Sequence, residues 1–222
     1  MHVNIILLKI MTTNAIINKG YKMREERINM IMNKVELLAP AGSFEKAKTA
    51  FLYGADAVYC GTGSLSLRSR ADVDDDELAK TIKYAHSIGK KVYTTINIYA
   101  PDSMYEDIKK QVRMLSDLNV DAIIASDGGV IDTIKEVAPN IPIHVSTQAN
   151  TLSAHAANFW YKNGAKRVIL SREMNKDDIK KLIANIPPEL ETEMFIHGAI
   201  CWAYSGRCYL SDYMAGRNAN LG

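Results

Sequence analysis

Nowhere in this 222-residue sequence do apolar residues run on for the roughly 18 positions that a membrane-spanning helix needs. No membrane partner is therefore expected. Cysteine is scarce: Cys60, Cys201 and Cys208 are the only three, too few and odd in number to staple a chain of this length with disulfides. That usage fits a reducing compartment, the cytoplasm. An excess of charge is missing as well. Against 27 Lys and Arg stand 25 Asp and Glu, a formal net charge of +2, so composition alone does not announce nucleic acid, and a local basic face is left open. No G-x-G-x-x-G follows the first apolar run, and neither G-x-S-x-G nor H-E-x-x-H occurs. The simplest dinucleotide, serine-hydrolase and zinc-protease readings fall away with them.

What is present divides at about residue 34. Residues 1–33 hold one short apolar run, Ile5–Ile10, then Met11, Met23, Met30 and Met32 among polar residues. No helical or strand period emerges, and the charge order is wrong for an export signal. This stretch reads as a poorly ordered extension, with the start methionine open to question. From Val35 onward, short runs rich in β-branched residues alternate with longer amphipathic stretches. Strands are expected at Val35–Ala39, Ala57–Cys60, Lys91–Asn97, Ala122–Ser126, Ile143–Ser146, Arg167–Ser171 and Glu193–His197. Helices are expected at Phe44–Tyr53, Asp75–Ile88, Met104–Leu118, Gly129–Val137, Ala154–Asn163 and Lys176–Ile186, with Ser43, Asp74 and Ser153 as N-caps.

A local motif recurs where a helix ends on Gly or Asn and an apolar strand follows at once. Its copies begin at Gly54, Gly89, Asn119 and Gly164. A residue in the left-handed conformation just past a helix satisfies its last carbonyls, and Gly and Asn adopt it most readily. Strands this uniformly apolar are covered on both faces. The fold class is therefore α/β, a TIM-barrel-like (β/α) parallel barrel over residues 34–222. Seven strands make it incomplete or irregular, and it reads as truncated at its C-terminal end.

In such barrels chemistry sits at the C-terminal strand ends. Those positions carry Asn97, Asp127, Gln148, Arg172 and Glu173, and the loop after the second strand, Gly61–Arg70, adds Arg68 and Arg70. Strand ends face water and are often polar for that reason alone. As a set, these residues suit a small polar substrate, with the arginines able to fork onto a carboxylate or phosphate. Beyond the last strand, Cys201 and Cys208 share one loop, with Gly206 available for a tight turn. Two thiolates there can converge on zinc or an iron–sulfur cluster, although two buried structural cysteines would give the same pattern. His197 stands four residues before Cys201, so a Cys–His pair for hydrolysis is conceivable.

The segment from Glu193 to Ser211 resembles the signature of the U32 peptidase family at Glu193, Phe195, Gly198, Ala199, Cys201, Gly206, Cys208 and Ser211. Glu36–Gly42, Gly54–Tyr59 and Ser171–Glu173 are similar to it too, so the likeness spans Val35 to Gly222. The family is named for collagenase-like proteolysis, and its better understood members are oxygen-independent hydroxylases of tRNA, rRNA or a ubiquinone precursor. The resemblance implies a 4Fe–4S cluster, for which Cys201 and Cys208 match the first two of four ligands, and prephenate as a co-substrate. It implies RNA as the macromolecular substrate, a peptide if the hydrolase reading holds. A third reading is a non-catalytic fragment or subunit completed by a partner chain. The substrate arginines would be Arg68, Arg70 and Arg172, with Asn97, Asp127, Gln148 and Glu173 orienting the target. Cys60 is expected as a small buried strand residue.

Overall fold

The computed structural model of the chain describes residues 6–10, 35–62, 65–66, 73–198, 203–206, 208 and 210–216. In chain order the strands are β1 (Ile6–Ile10), β2 (Leu37–Pro40), β3 (Ala57–Gly61), β4 (Lys91–Ile96), β5 (Ala122–Ala125), β6 (Ile143–Val145), β7 (Ala165–Ile169) and β8 (Glu191–His197). The helices are α1 (Phe44–Leu52), α2 (Asp75–Ser87), α3 (Tyr105–Asp117), α4 (Gly128–Val137), α5 (Ala154–Lys162), α6 (Lys176–Ala184) and α7 (Leu210–Ala215). None of the described helices is long and apolar enough to cross a membrane.

Strands β2 to β8 run parallel, each beside its sequence neighbour, as the alternating pattern predicts. The irregularity lies in how the ring closes. β1 fills the gap between β2 and β8 and runs antiparallel to both, with Leu8 opposite Leu37 on one side and Met194 on the other. The barrel therefore begins before the boundary drawn at residue 34, and part of the stretch read as an extension belongs to it. Closure removes the open sheet edges that a seven-stranded arc would leave.

Local chemistry sets the helix ends. Ser43 Oγ accepts from the Lys46 N–H, Asp74 Oδ1 from the Glu77 N–H and Ser153 Oγ from the Ala156 N–H, at 3.2, 2.7 and 3.2 Å. Positive φ values of 100°, 68°, 56° and 95° at Gly54, Gly89, Asn119 and Gly164 end the helices where the recurring motif predicts. Helix α3 shows the packing logic: Ile108, Val112 and Leu115, spaced by four and three residues, are all fully buried against the sheet.

Alternation along each strand separates two cores. Outward residues such as Val58, Val92, Ile123 and Val168 join the helix faces in a large apolar layer. Inward residues Leu38, Ala57, Tyr93, Ala122, Ile124 and Ile169 form a smaller cluster with Tyr59 and Phe195. Several further inward positions are polar, and they differ between the two ends of the barrel.

Candidate functional site

At the C-terminal end of the strands the inward positions carry short hydroxyls. Thr95, Ser126, Ser146 and Ser171 are all buried there. Each serine is the first residue past an apolar strand run, in Ala125-Ser126, Val145-Ser146 and Leu170-Ser171. Sequence reasoning passed over these serines in favour of longer polar neighbours, although the repeated apolar-to-serine step was a usable signal. Asn97 and Gln148, both expected at the site, are brought together: Asn97 Nδ2 donates to Gln148 Oε1 at 3.3 Å, and Ser146 Oγ donates to the same oxygen. Ser126 Oγ donates to the Asn97 carbonyl at 3.4 Å. The amide pair is thus oriented by neighbouring strand ends.

A second cluster surrounds Glu173. Its carboxylate accepts from the Ser205 N–H at 2.6 Å, from the Ser205 hydroxyl at 2.7 Å and from Ser171 Oγ. The two serine hydroxyls also touch each other, at 2.6 Å. Desolvation alone would raise the Glu173 pKa, but the hydrogen bonds from Ser171 and Ser205 outweigh it and hold the carboxyl at about 2. Ser205 belongs to the turn Tyr204–Gly206 inside the Cys201–Cys208 loop and is completely buried. Its φ of 45° and ψ of 31° are left-handed, a conformation that costs a non-glycine residue about 1–2 kcal/mol. The special backbone geometry thus falls on Ser205, immediately before the glycine expected to provide the turn. The clusters connect through Thr147 Oγ1, which donates to the Leu170 carbonyl at 3.2 Å, and the Ser171 N–H, which donates to the Thr151 carbonyl at 3.2 Å.

The other candidates are placed differently. Asp127 caps α4: its Oδ1 accepts from the Gly129 and Val130 N–H groups at 2.9 and 3.1 Å and from the Tyr105 hydroxyl at 3.1 Å. A side chain at Gly129 would strike that hydroxyl, so the glycine and the tyrosine are matched. Arg172 is half-buried beside the Glu173 cluster, and its Nε is buried without a hydrogen-bond partner among the described residues. Arg68, Arg70 and Cys201 lie outside the described residues. Cys208 is a free, half-buried thiol whose Sγ accepts from the Leu210 N–H at 3.4 Å.

Cys60 faces the helices from the outer side of β3, only 1% exposed, and burial pushes its thiol up to about 12. Protonated and enclosed in the apolar layer, it is a poor nucleophile at neutral pH. Among the histidines, His86 Nε2 pairs with Asp121 Oδ2 at 2.9 Å, His144 packs edge-on against Tyr93 inside the barrel, and His197 lies exposed on β8.

The opposite end of the interior carries charge. Arg167 on β7 contacts Glu36, Glu191 and Glu193 at 2.9, 2.8 and 2.8 Å. Tyr93 donates its hydroxyl to Glu36 at 2.9 Å, and Lys91 reaches the other Glu36 oxygen at 3.4 Å. Burial pushes the Glu193 carboxyl up to about 7; Arg167 opposes the rise, and the neighbouring charges of Glu36 and Glu191 add to it. Glu36 precedes β2, and Lys91 and Glu191 open β4 and β8. In a barrel of this kind that end serves stability.

A family model described as peptidase family U32 matches residues 42–222. The chain is 42% identical over 194 residues to the tRNA hydroxylation protein P1 of Bacillus subtilis, covering 87% of this chain and 46% of the relative. It is 35% identical over 190 residues to the 23S rRNA 5-hydroxycytidine C2501 synthase of Escherichia coli, covering 86% of this chain and 28% of that enzyme. The chain thus spans about half the length, or less, of these relatives. Among solved structures, the U32 peptidase Mk0906 matches with a TM-score of 0.56 at 15% identity, over 68% of this chain and 65% of that one, a likeness of fold.

Proposed function

Because the chain belongs to peptidase family U32, we propose that it is the barrel part of an iron–sulfur-dependent, oxygen-independent hydroxylase of tRNA or rRNA that takes prephenate as co-substrate. The observation that carries the reading is the likeness to relatives named for tRNA hydroxylation and rRNA hydroxycytidine synthesis. Such substrates support a cytoplasmic location.

The donor chemistry fits a 4Fe–4S cluster in part. Cys201 and Cys208 are thiolate donors of the right type, Cys60 is excluded by burial, and two further thiolates would have to come from elsewhere. Among the described residues no group of three metal-binding side chains converges. A bound cluster supplies one-electron chemistry. This chain's residues bind and orient. The unpaired Arg172 Nε suits a carboxylate of a dianionic co-substrate, since leaving a buried donor unsatisfied costs about 1–3 kcal/mol. Asn97 and Gln148, fixed by Ser126 and Ser146, present amide groups to the mouth.

Peptide hydrolysis ranks second. A serine nucleophile needs a nearby base, and the carboxylate beside Ser171 and Ser205, held at about 2, is a poor one. The test is anaerobic purification of the full-length protein, the barrel together with the part that supplies the other two thiolates, with iron and sulfide assays, followed by mass spectrometry of tRNA and rRNA nucleosides after incubation with prephenate. Stoichiometric iron lost in Cys208→Ala, together with a hydroxylated nucleoside, is the expected result. An iron-free protein that cleaves gelatin would put the hydrolase first.

A further inference from the structure

Glu173 lies in the loop just past β7, next to Arg172, where a role in orienting substrate is the obvious assignment. Its hydrogen bonds point elsewhere. Both described elements it engages outside its own strand end belong to one residue, the N–H and the hydroxyl of Ser205. Ser205 is buried, left-handed and three residues ahead of Cys208. A serine in that conformation persists only where its surroundings hold it, and here Glu173 and Ser171 supply those contacts. From this turn the chain reaches Cys208, whose sulfur accepts the Leu210 N–H.

We propose that Glu173 is a positioning residue, a strut that ties the Tyr204–Gly206 turn to the end of β7 and so sets the direction in which Cys208 is presented. The inference deepens the hydroxylase reading, in which Cys208 is a cluster ligand, but its geometry stands without a cluster. The carboxylate supplies two acceptor oxygens to three donors, a role that neither a shorter nor an apolar side chain performs. Aspartate lacks one methylene of reach. Glutamine keeps one acceptor oxygen and loses the charge, which weakens hydrogen bonds that are charge-assisted.

The test uses the whole chain and needs no activity. Trypsin cleaves after Arg207, so Cys208 falls on its own peptide, ending at Arg217, apart from Cys201. Iodoacetamide labelling of that peptide and hydrogen exchange across residues 203–206 are followed in wild type, Glu173→Gln, Glu173→Ala, Glu173→Asp and Ser205→Ala. Glu136→Gln, an exposed site on α4, is the charge-matched control. Labelling of Cys208 is expected to rise about tenfold in Glu173→Ala and Glu173→Asp, as for loss of one or two charge-assisted hydrogen bonds. Glu173→Gln should lie between these and wild type, with the far-UV spectrum and melting temperature unchanged. If Glu173→Ala fails to fold, Glu173→Gln and Ser205→Ala carry the same comparison. Cys208 labelling and exchange at 203–206 equal to wild type in folded variants would overturn the strut. So would a rise matched by the Glu136→Gln control. Anaerobic iron loading adds a separate arm, in which the strut variants should alter the visible spectrum of any bound cluster. Protein that also supplies the two further thiolates and still takes up no iron would sink the hydroxylase reading alone, because the labelling comparison still decides the strut.

Discussion

Arg167 and Glu193 meet inside the barrel from adjacent strands, Nη1 to Oε2 at 2.8 Å, with only 1% and 0% of their surfaces exposed. The guanidinium does not belong to Glu193 alone. Its Nη2 also reaches Glu191 and Glu36, and its Cζ lies 5.2 Å from the centre of the Tyr93 ring. Three carboxylates thus gather around Arg167 and Lys91. This imbalance of charge, far from the mouth, makes the interior sensitive to substitution and to pH.

Removing Arg167 strands buried carboxylates. Arg167→Met should lower stability by about 3–5 kcal/mol, the usual consequence of taking one partner from a buried ion pair. Arg167→Lys should fall between, because an ammonium cannot fork onto several acceptors at once. Urea unfolding of the purified variants measures both. A midpoint for Arg167→Met equal to wild type would show that the network contributes nothing.

Glu193 makes stability depend on pH. Its carboxyl ionises near 4.5 when unfolded and at about 7 when folded. Between those values the folded chain holds a proton that the unfolded chain has released. Its contribution is therefore complete below the lower value and is lost as pH rises through the higher one. Glu193→Gln cannot ionise and should flatten the stability profile between about pH 5 and pH 8 relative to wild type. Urea midpoints across that range test this, and a wild-type profile that rises with pH would contradict the assignment.

Much of the parallel barrel was legible from local chemistry. A glycine or asparagine at a helix end, as at Gly54 or Asn119, dictates its own conformation wherever the chain goes next. Strand β1 was not legible, because its partners, such as Leu37 and Met194, lie about 30 and about 190 residues away, and a five-residue apolar run carries no mark of direction. The Glu173–Ser205 contact spans 32 residues and depends on a serine taking a glycine-like conformation, which no residue pattern announces. Arg167 entered only as the first residue of an expected strand; closure of the ring is what turns its face into an interior. Asp127 was legible as a functional type yet also fits the N-cap preference, since a carboxylate ahead of Gly-Gly-Val satisfies both readings.

Asp127 separates those two roles by substitution. If capping is its task, Asp127→Ala should cost about 1 kcal/mol of stability, while Asp127→Asn, which retains a capping oxygen, should cost little. The Tyr105 hydroxyl provides a second readout. Partial burial raises its pKa first, and the adjacent Asp127 carboxylate raises it further. Asp127→Asn should therefore lower the titration midpoint of one tyrosine followed by ultraviolet absorbance. Full stability in Asp127→Ala would return the residue to the list of substrate contacts.

Deleting residues 1–33 removes β1 and tests whether the antiparallel strand is part of the fold. Without it, β2 and β8 each lose a backbone ladder, and both become open edges. Unpaired edges of that kind template association between chains. The shortened chain, beginning at Lys34, should therefore unfold at lower urea concentration and form oligomers or aggregates that the whole chain does not, as read by light scattering. A milder change separates pairing from mere presence. Proline in place of Leu8 removes the backbone donor at a residue paired with both neighbours and should weaken the ring without shortening the chain. Stability and solubility equal to the whole chain in both variants would show that seven parallel strands suffice.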